Sequence, residues 1–179
     1  MRKLTIAVSL FMITLPLGAA AAADKKISAS LHGYQETPSI STVGSGEFRA
    51  TINGDETEIG WELSYANLEA TVTQAHIHFG QVGVAGGITV FLCTNLGNSP
   101  AGTQACPPPP TTITGTIRAA DVSPPITATA GARAQGLGTG EFAELLKAIR
   151  AGVTYANVHS ETFPSGEIRG QIDDHPGGN

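Results

Sequence analysis

Between residues 48 and 65 the chain alternates apolar and polar residues on both sides of an Asn-Gly pair. Phe48, Ala50 and Ile52 lead into Asn53-Gly54, and Ile59, Trp61, Leu63 and Tyr65 alternate on the way back. A period of two turns every second side chain to one face of an extended chain, and Asn-Gly is a strong hairpin-turn signal. The segment therefore commits the chain to antiparallel β structure. The pattern recurs in 27–32, with Ile27, Ala29 and Leu31 inward, and in 72–79, with Ala75, Ile77 and Phe79 on one face. Further extended segments are predicted at 88–93, 113–118, 154–160 and 167–172.

One stretch departs from that period. Phe142, Leu145, Leu146 and Ile149 recur at i, i+3, i+4 and i+7, which predicts a helix over 141–150. Thr139 or Gly140 would cap its start and Gly152 would end it. About seven strands and one short helix imply an all-β fold, an antiparallel Greek-key sandwich or barrel. Residues 94–112, with four prolines at 107–110, are expected to form a long exposed loop and stiff spacer. The Gly/Ala-rich stretch from Pro124-Pro125 to Gly140 reads as another loop.

The chain opens with Arg2 and Lys3, then an apolar run over 4–17 and small residues ending in Ala21-Ala22-Ala23. This is the form of a cleavable signal peptide over 1–23, with Asp24 as the first mature residue. The expected organisation is that leader, one β domain over 24–173 and a flexible tail over 174–179. The apolar run is short for a span of about 20 residues, and none follows, so no membrane span is expected in the mature chain. The destination would be periplasmic or secreted. The full sequence has 10 Lys+Arg against 15 Asp+Glu, and loss of Arg2 and Lys3 takes the formal charge from −5 to −7. Such a surface repels phosphate backbones, which argues against nucleic acid as a partner.

Cys93 and Cys106 flank a loop containing Gly97, Asn98, Pro100 and Gly102. In an exported chain that arrangement predicts a disulfide. The rival reading is a pair of soft metal ligands, although the spacing matches no standard zinc motif.

Chemistry concentrates in two extended segments. In Ala75-His76-Ile77-His78-Phe79, His76 and His78 leave the strand on the same face, roughly 7 Å apart, and two imidazoles there can converge on one ion. In 155–161, Tyr155, Asn157, His159 and Glu161 share a face, and His159 would complete a three-imidazole site if the strands meet. His32 and Glu36 are possible additional ligands. His175 reads as incidental, and hydrogen bonding within the sheet is the structural alternative for His159. Glu167, Arg169 and Gln171 alternate on the last strand. Glu167 and Arg169 would pair across strands or else position a histidine. GxSxG, HExxH and P-loop motifs are absent, which leaves hydrolase chemistry without a signature.

Three segments together resemble the CHRD domain family, found in chordin and in exported bacterial proteins: Leu31-His32-Gly33-Tyr34-Gln35-Glu36-Thr37-Pro38, Ala75-His76-Ile77-His78-Phe79-Gly80, and 155–172 with its Asn-Val-His and Pro-Ser-Gly-Glu-Ile-Arg-Gly-Gln runs. The resemblance spans about residues 26–173. It implies an immunoglobulin-like or superoxide-dismutase-like β-sandwich or barrel, with the family's histidines falling on His76, His78 and His159, and no settled activity. The cysteine-flanked, proline-rich loop after Cys93 departs from short members. The leading functional expectation is an exported metal-binding protein, for copper or alternatively zinc, that stores, buffers or delivers the ion. A copper-dependent redox enzyme acting on oxygen species and a metal-free adhesion or matrix module are the alternatives.

Overall fold

The structure, a computed structural model, describes residues 22–174. The expected leader lies outside these residues except for its last two, as does the tail from 175 with His175. Eight strands form one antiparallel sheet: β1 (Lys25–His32), β2 (Ser45–Ile52), β3 (Ile59–Ala66), β4 (Val72–Phe79), β5 (Gly87–Thr94), β6 (Thr111–Ile117), β7 (Thr154–Ser160) and β8 (Ile168–Gln171). The order is β5-β4-β7-β8-β1-β2-β3-β6, and the sheet curls into a nearly closed barrel. Going round the wall, β3, β6, β5 and β4 follow one another, which is a Greek-key arrangement.

The alternating residues fill the barrel. Phe48 pairs with Leu63 and Ala50 with Trp61 across β2 and β3, and Ala29 on β1 pairs with Phe48. All are buried, together with Ile27, Leu31, Ile52, Ile59 and Tyr65. The β2–β3 hairpin forms as the period demands, but its turn is longer than a two-residue Asn-Gly connection. Residues 53–58 make the turn, and the Asn53 side-chain oxygen accepts from the amides of Thr57 and Glu58. Asn53 thus acts through its side chain, a common substitute for backbone turn bonding.

Sheet closure depends on the segment between β5 and β6, which is more than an exposed spacer. Gln104 donates to Leu92 O on β5 and Thr114 O on β6, bridging the two end strands. Ser123 N donates to Thr89 O further along the same edge. Cys93 and Cys106 are disulfide-bonded, with Cα atoms 5.1 Å apart. Asn95 bonds Val72 O and both backbone groups of Cys106. The Tyr65 hydroxyl donates to Pro107 O at 2.7 Å, anchoring the proline run.

Among the described residues two α-helices lie outside the sheet, where one helix was expected. Helix α1 (Ala130–Ala134) forms within the Gly/Ala-rich stretch read as loop, and it packs on β5. The small residues allow backbone-to-backbone approach: a Cβ on Gly87 would lie 2.0 Å from Ala132 N. Helix α2 (Phe142–Arg150) buries Phe142, Leu145, Leu146 and Ile149 as the period requires. Its N-cap is Glu141, without a side-chain capping bond, rather than Thr139 or Gly140. At the other end Gly152 (φ +65°) bonds Ile149 O and Val153 bonds Ala148 O, a Schellman termination.

Candidate metal centre

β4 and β7 are buried on both faces, and this positions the histidines. Ala75, Ile77, Ala156 and Val158 point into the apolar core. Alternation then turns His76, His78, Tyr155, Asn157 and His159 to the opposite face. The register sets Gln74 against His159, His76 against Asn157 and His78 against Tyr155, so His159 lies diagonal to His76. On its other side β4 shifts register against β5 between Ala75 and His76 and again between Ile77 and His78. Such bulges bend a strand and re-aim its side chains.

The three imidazoles form one buried group. His76, His78 and His159 are 0%, 7% and 5% exposed, and one ring nitrogen from each lies within 4.8 Å of the others. His76 Nδ1 is 3.2 Å from His159 Nε2. That is a hydrogen-bond distance. It also matches the edge of about 3.3 Å on a tetrahedral ion with bonds of about 2.0 Å, which both atoms would share once the His76 proton moved from Nδ1 to Nε2. Backbone carbonyls fix the tautomers, because a carbonyl only accepts. His78 Nδ1–H donates to Gly86 O at 2.9 Å, and His159 Nδ1–H to Pro164 O at 2.9 Å. Each therefore carries its lone pair on Nε2. His76 must then donate from Nδ1 to His159, leaving a lone pair on its own Nε2. His76 Nε2 and His78 Nε2 are buried without a hydrogen-bond partner, a costly state for polar atoms that calls for explanation.

Electrostatics keeps these rings neutral. Burial first, then the neighbouring His159 and His78, hold His76 well below the ordinary histidine range. Burial lowers His78 to about 3 and His159 to about 4. Neutral imidazoles are the form that binds metals.

The surrounding residues are engaged in several ways. The Tyr155 ring stacks on His78, and Arg169 lies over Tyr155 at 3.4 Å from the centroid. Because β7 runs between β4 and β8, the Tyr155 ring is held between the guanidinium and the imidazole. Arg169 also donates to Gln81 O and Val84 O, and the Tyr155 hydroxyl accepts from Gly86 N, so the 80–86 loop is fastened over the rings. Phe91 meets His76 edge-on at 4.5 Å. Glu36 is buried and accepts from Asn157 Nδ2 at 2.5 Å. Burial outweighs the attraction of Arg169 and lifts the Glu36 carboxyl to about 7.

The structure separates the remaining candidates from the rings. His32 and Glu161 are exposed, and neither belongs to the imidazole group. Of the two residues expected to pair across strands or position a histidine, Glu167 turns to Thr42 Oγ1 and Glu69 N, and Arg169 lies on the Tyr155 ring. Four contributors escaped the sequence reading: the Tyr155 stack, the Gly86 and Pro164 carbonyls, and Phe91. Tyr155 alone had a sequence signal, since it alternates in phase with Asn157 and His159.

The CHRD domain family model matches residues 27–172. The chain belongs to that family. No curated protein and no solved structure matches it. Among the described residues no helix is long and apolar enough to cross a membrane.

Proposed function

We propose that this CHRD-domain protein is exported and holds a transition-metal ion, copper before zinc, through His76, His78 and His159, so as to store, buffer or deliver it. The observation that carries this reading is the pair of unpartnered ring nitrogens, His76 Nε2 and His78 Nε2, buried within a three-histidine group. A ligand with lone-pair demand removes their cost, and imidazole suits copper and zinc among common ions. The Gly86 and Pro164 carbonyls hold His78 and His159 with Nε2 as the lone-pair atom, so these two rings bind without losing a proton.

Export rests on the form of residues 1–23 and on the Cys93–Cys106 disulfide, which persists in oxidising compartments. The near-complete burial of the rings supports retention of an ion over turnover of an oxygen species, which needs a position open to substrate.

The deciding experiment is equilibrium dialysis of the purified protein against copper and zinc, with bound metal counted per chain. One ion per chain is expected, with loss of binding in His76→Ala and in His159→Ala. Unchanged stoichiometry in both variants would refute a three-histidine site and leave the 3.2 Å His76–His159 contact as a structural hydrogen bond.

A further inference from the structure

We infer that the three-histidine site, on the reading that it binds metal at all, selects the monovalent cuprous ion and rejects divalent ions by charge. The donors are three neutral rings, with no thiolate or carboxylate among them. Behind the rings, His78 and His159 donate to the carbonyls of Gly86 and Pro164. Carboxylates in that outer position are what commonly supply negative charge to a histidine-bound divalent ion. Here the buried acidic side chains of the region are turned elsewhere, Glu36 to Asn157 and Glu167 to Thr42 and Glu69 N, and Glu161 is exposed.

The charge that does stack towards the site is positive. Arg169 lies 3.4 Å from the Tyr155 centroid, and Tyr155 lies parallel to His78 at 4.7 Å. An incoming ion thus meets a cation two layers away and no fixed anion among its donors. The solvation cost of burying an ion grows with the square of its charge, so a divalent ion bears about four times the penalty of a monovalent one. Donor number points the same way. Zinc almost always takes four ligands, and its fourth at a three-histidine site is a water. His76 Nε2 and His78 Nε2 are shut off from solvent.

The test is a competition on the full mature chain, kept anaerobic with ascorbate as reductant so that the disulfide stays intact. Cuprous ion is buffered with a Cu(I)-specific chelator and challenged with Zn(II), while Cu(II) is titrated separately without reductant. The expected result is one Cu(I) per chain that a roughly hundredfold excess of Zn(II) fails to displace. Copper in the site should also have a higher cupric/cuprous potential than copper on free imidazole. In Arg169→Gln the zinc affinity should rise about tenfold relative to Cu(I); if that variant does not fold, the wild-type competition and the potential decide alone. Zinc or Cu(II) binding as tightly as Cu(I), and lost in His159→Ala, overturns the charge selection while leaving the metal site standing. Binding of none of the three ions overturns the site itself.

Discussion

The Tyr155 ring lies parallel to the His78 imidazole, with 3° between the planes and 4.7 Å between the centroids. The two residues face each other across β4 and β7, so sheet register creates the stack. Register also explains why His78 cannot swing towards Tyr155: the space is already occupied by the ring. Removing that ring should loosen the imidazole. In Tyr155→Leu we expect metal affinity to fall about ten- to hundredfold, the usual cost of losing an outer-shell partner. Tyr155→Phe keeps the stack and loses only the hydroxyl bond to Gly86 N, about 1 kcal/mol of stability. Competitive metal titration with thermal melts of both variants distinguishes the two effects.

Stability of the metal-free protein should depend on pH with a defined sign. His78 and His159 titrate at about 3 and about 4 in the fold, and His76 well below 6.5, against 6.5 for a free histidine. Below 6.5 the unfolded chain takes up protons that the fold refuses, so stability falls as pH falls. Glu36 acts in the opposite sense. Raised from 4.5 to about 7, it contributes at acid pH and loses that contribution as pH rises through 7. Three imidazoles outweigh one carboxyl, so urea midpoints should climb from about pH 4 to about 7 and then level off. Glu36→Gln should steepen the climb between about pH 4.5 and 7, because the opposing carboxyl is gone. A flat profile between pH 4.5 and 6.5 is incompatible with buried neutral histidines.

Reducing the Cys93–Cys106 bond frees a loop that is otherwise closed at a separation of 13 residues. The chain-entropy model gives a loss of about 3 kcal/mol. Cys93→Ala/Cys106→Ala should lower the melting temperature accordingly, while metal stoichiometry stays at the wild-type value, since both cysteines belong to the apolar core and neither to the imidazole group.

Gly166 adopts φ +131°, and a Cβ there would lie 2.5 Å from Asn157 Nδ2 and 2.6 Å from Glu36 Oε1. Gly166→Ala should therefore separate Glu36 from Asn157 and destabilise by about 1–3 kcal/mol from backbone strain alone. Chemical denaturation measures the loss. A melting temperature equal to wild type would show that the 164–167 turn relaxes freely.

Local periodicity carried the strands and α2 because each is dictated by neighbours two or four residues apart. The convergence of His76, His78 and His159 was legible for the same reason: alternation fixes which face each occupies, and only the pairing of β4 with β7 had to be added. Contacts made through the backbone of distant loops left no such trace. Gly86 and Pro164 bind their imidazoles through carbonyls that any residue could supply. Arg169 reads as a member of a cross-strand pair or as a group positioning a histidine, yet a tyrosine face takes it. Helix α1 escaped because Ala130–Ala134 has no apolar stripe. Its place comes from the absence of side chains at Gly87 and Gly131, which lets two backbones touch.

The seam between β5 and β6 is closed by the Gln104 side chain and the Ser123 amide rather than by a strand ladder. A β sheet with open ends offers rows of unpaired amides and carbonyls to other molecules of its kind. Here one glutamine, in the loop that the disulfide closes, occupies a carbonyl on each end strand. Opening that loop would uncover the two edges, so loss of the Cys93–Cys106 bond is expected to raise self-association.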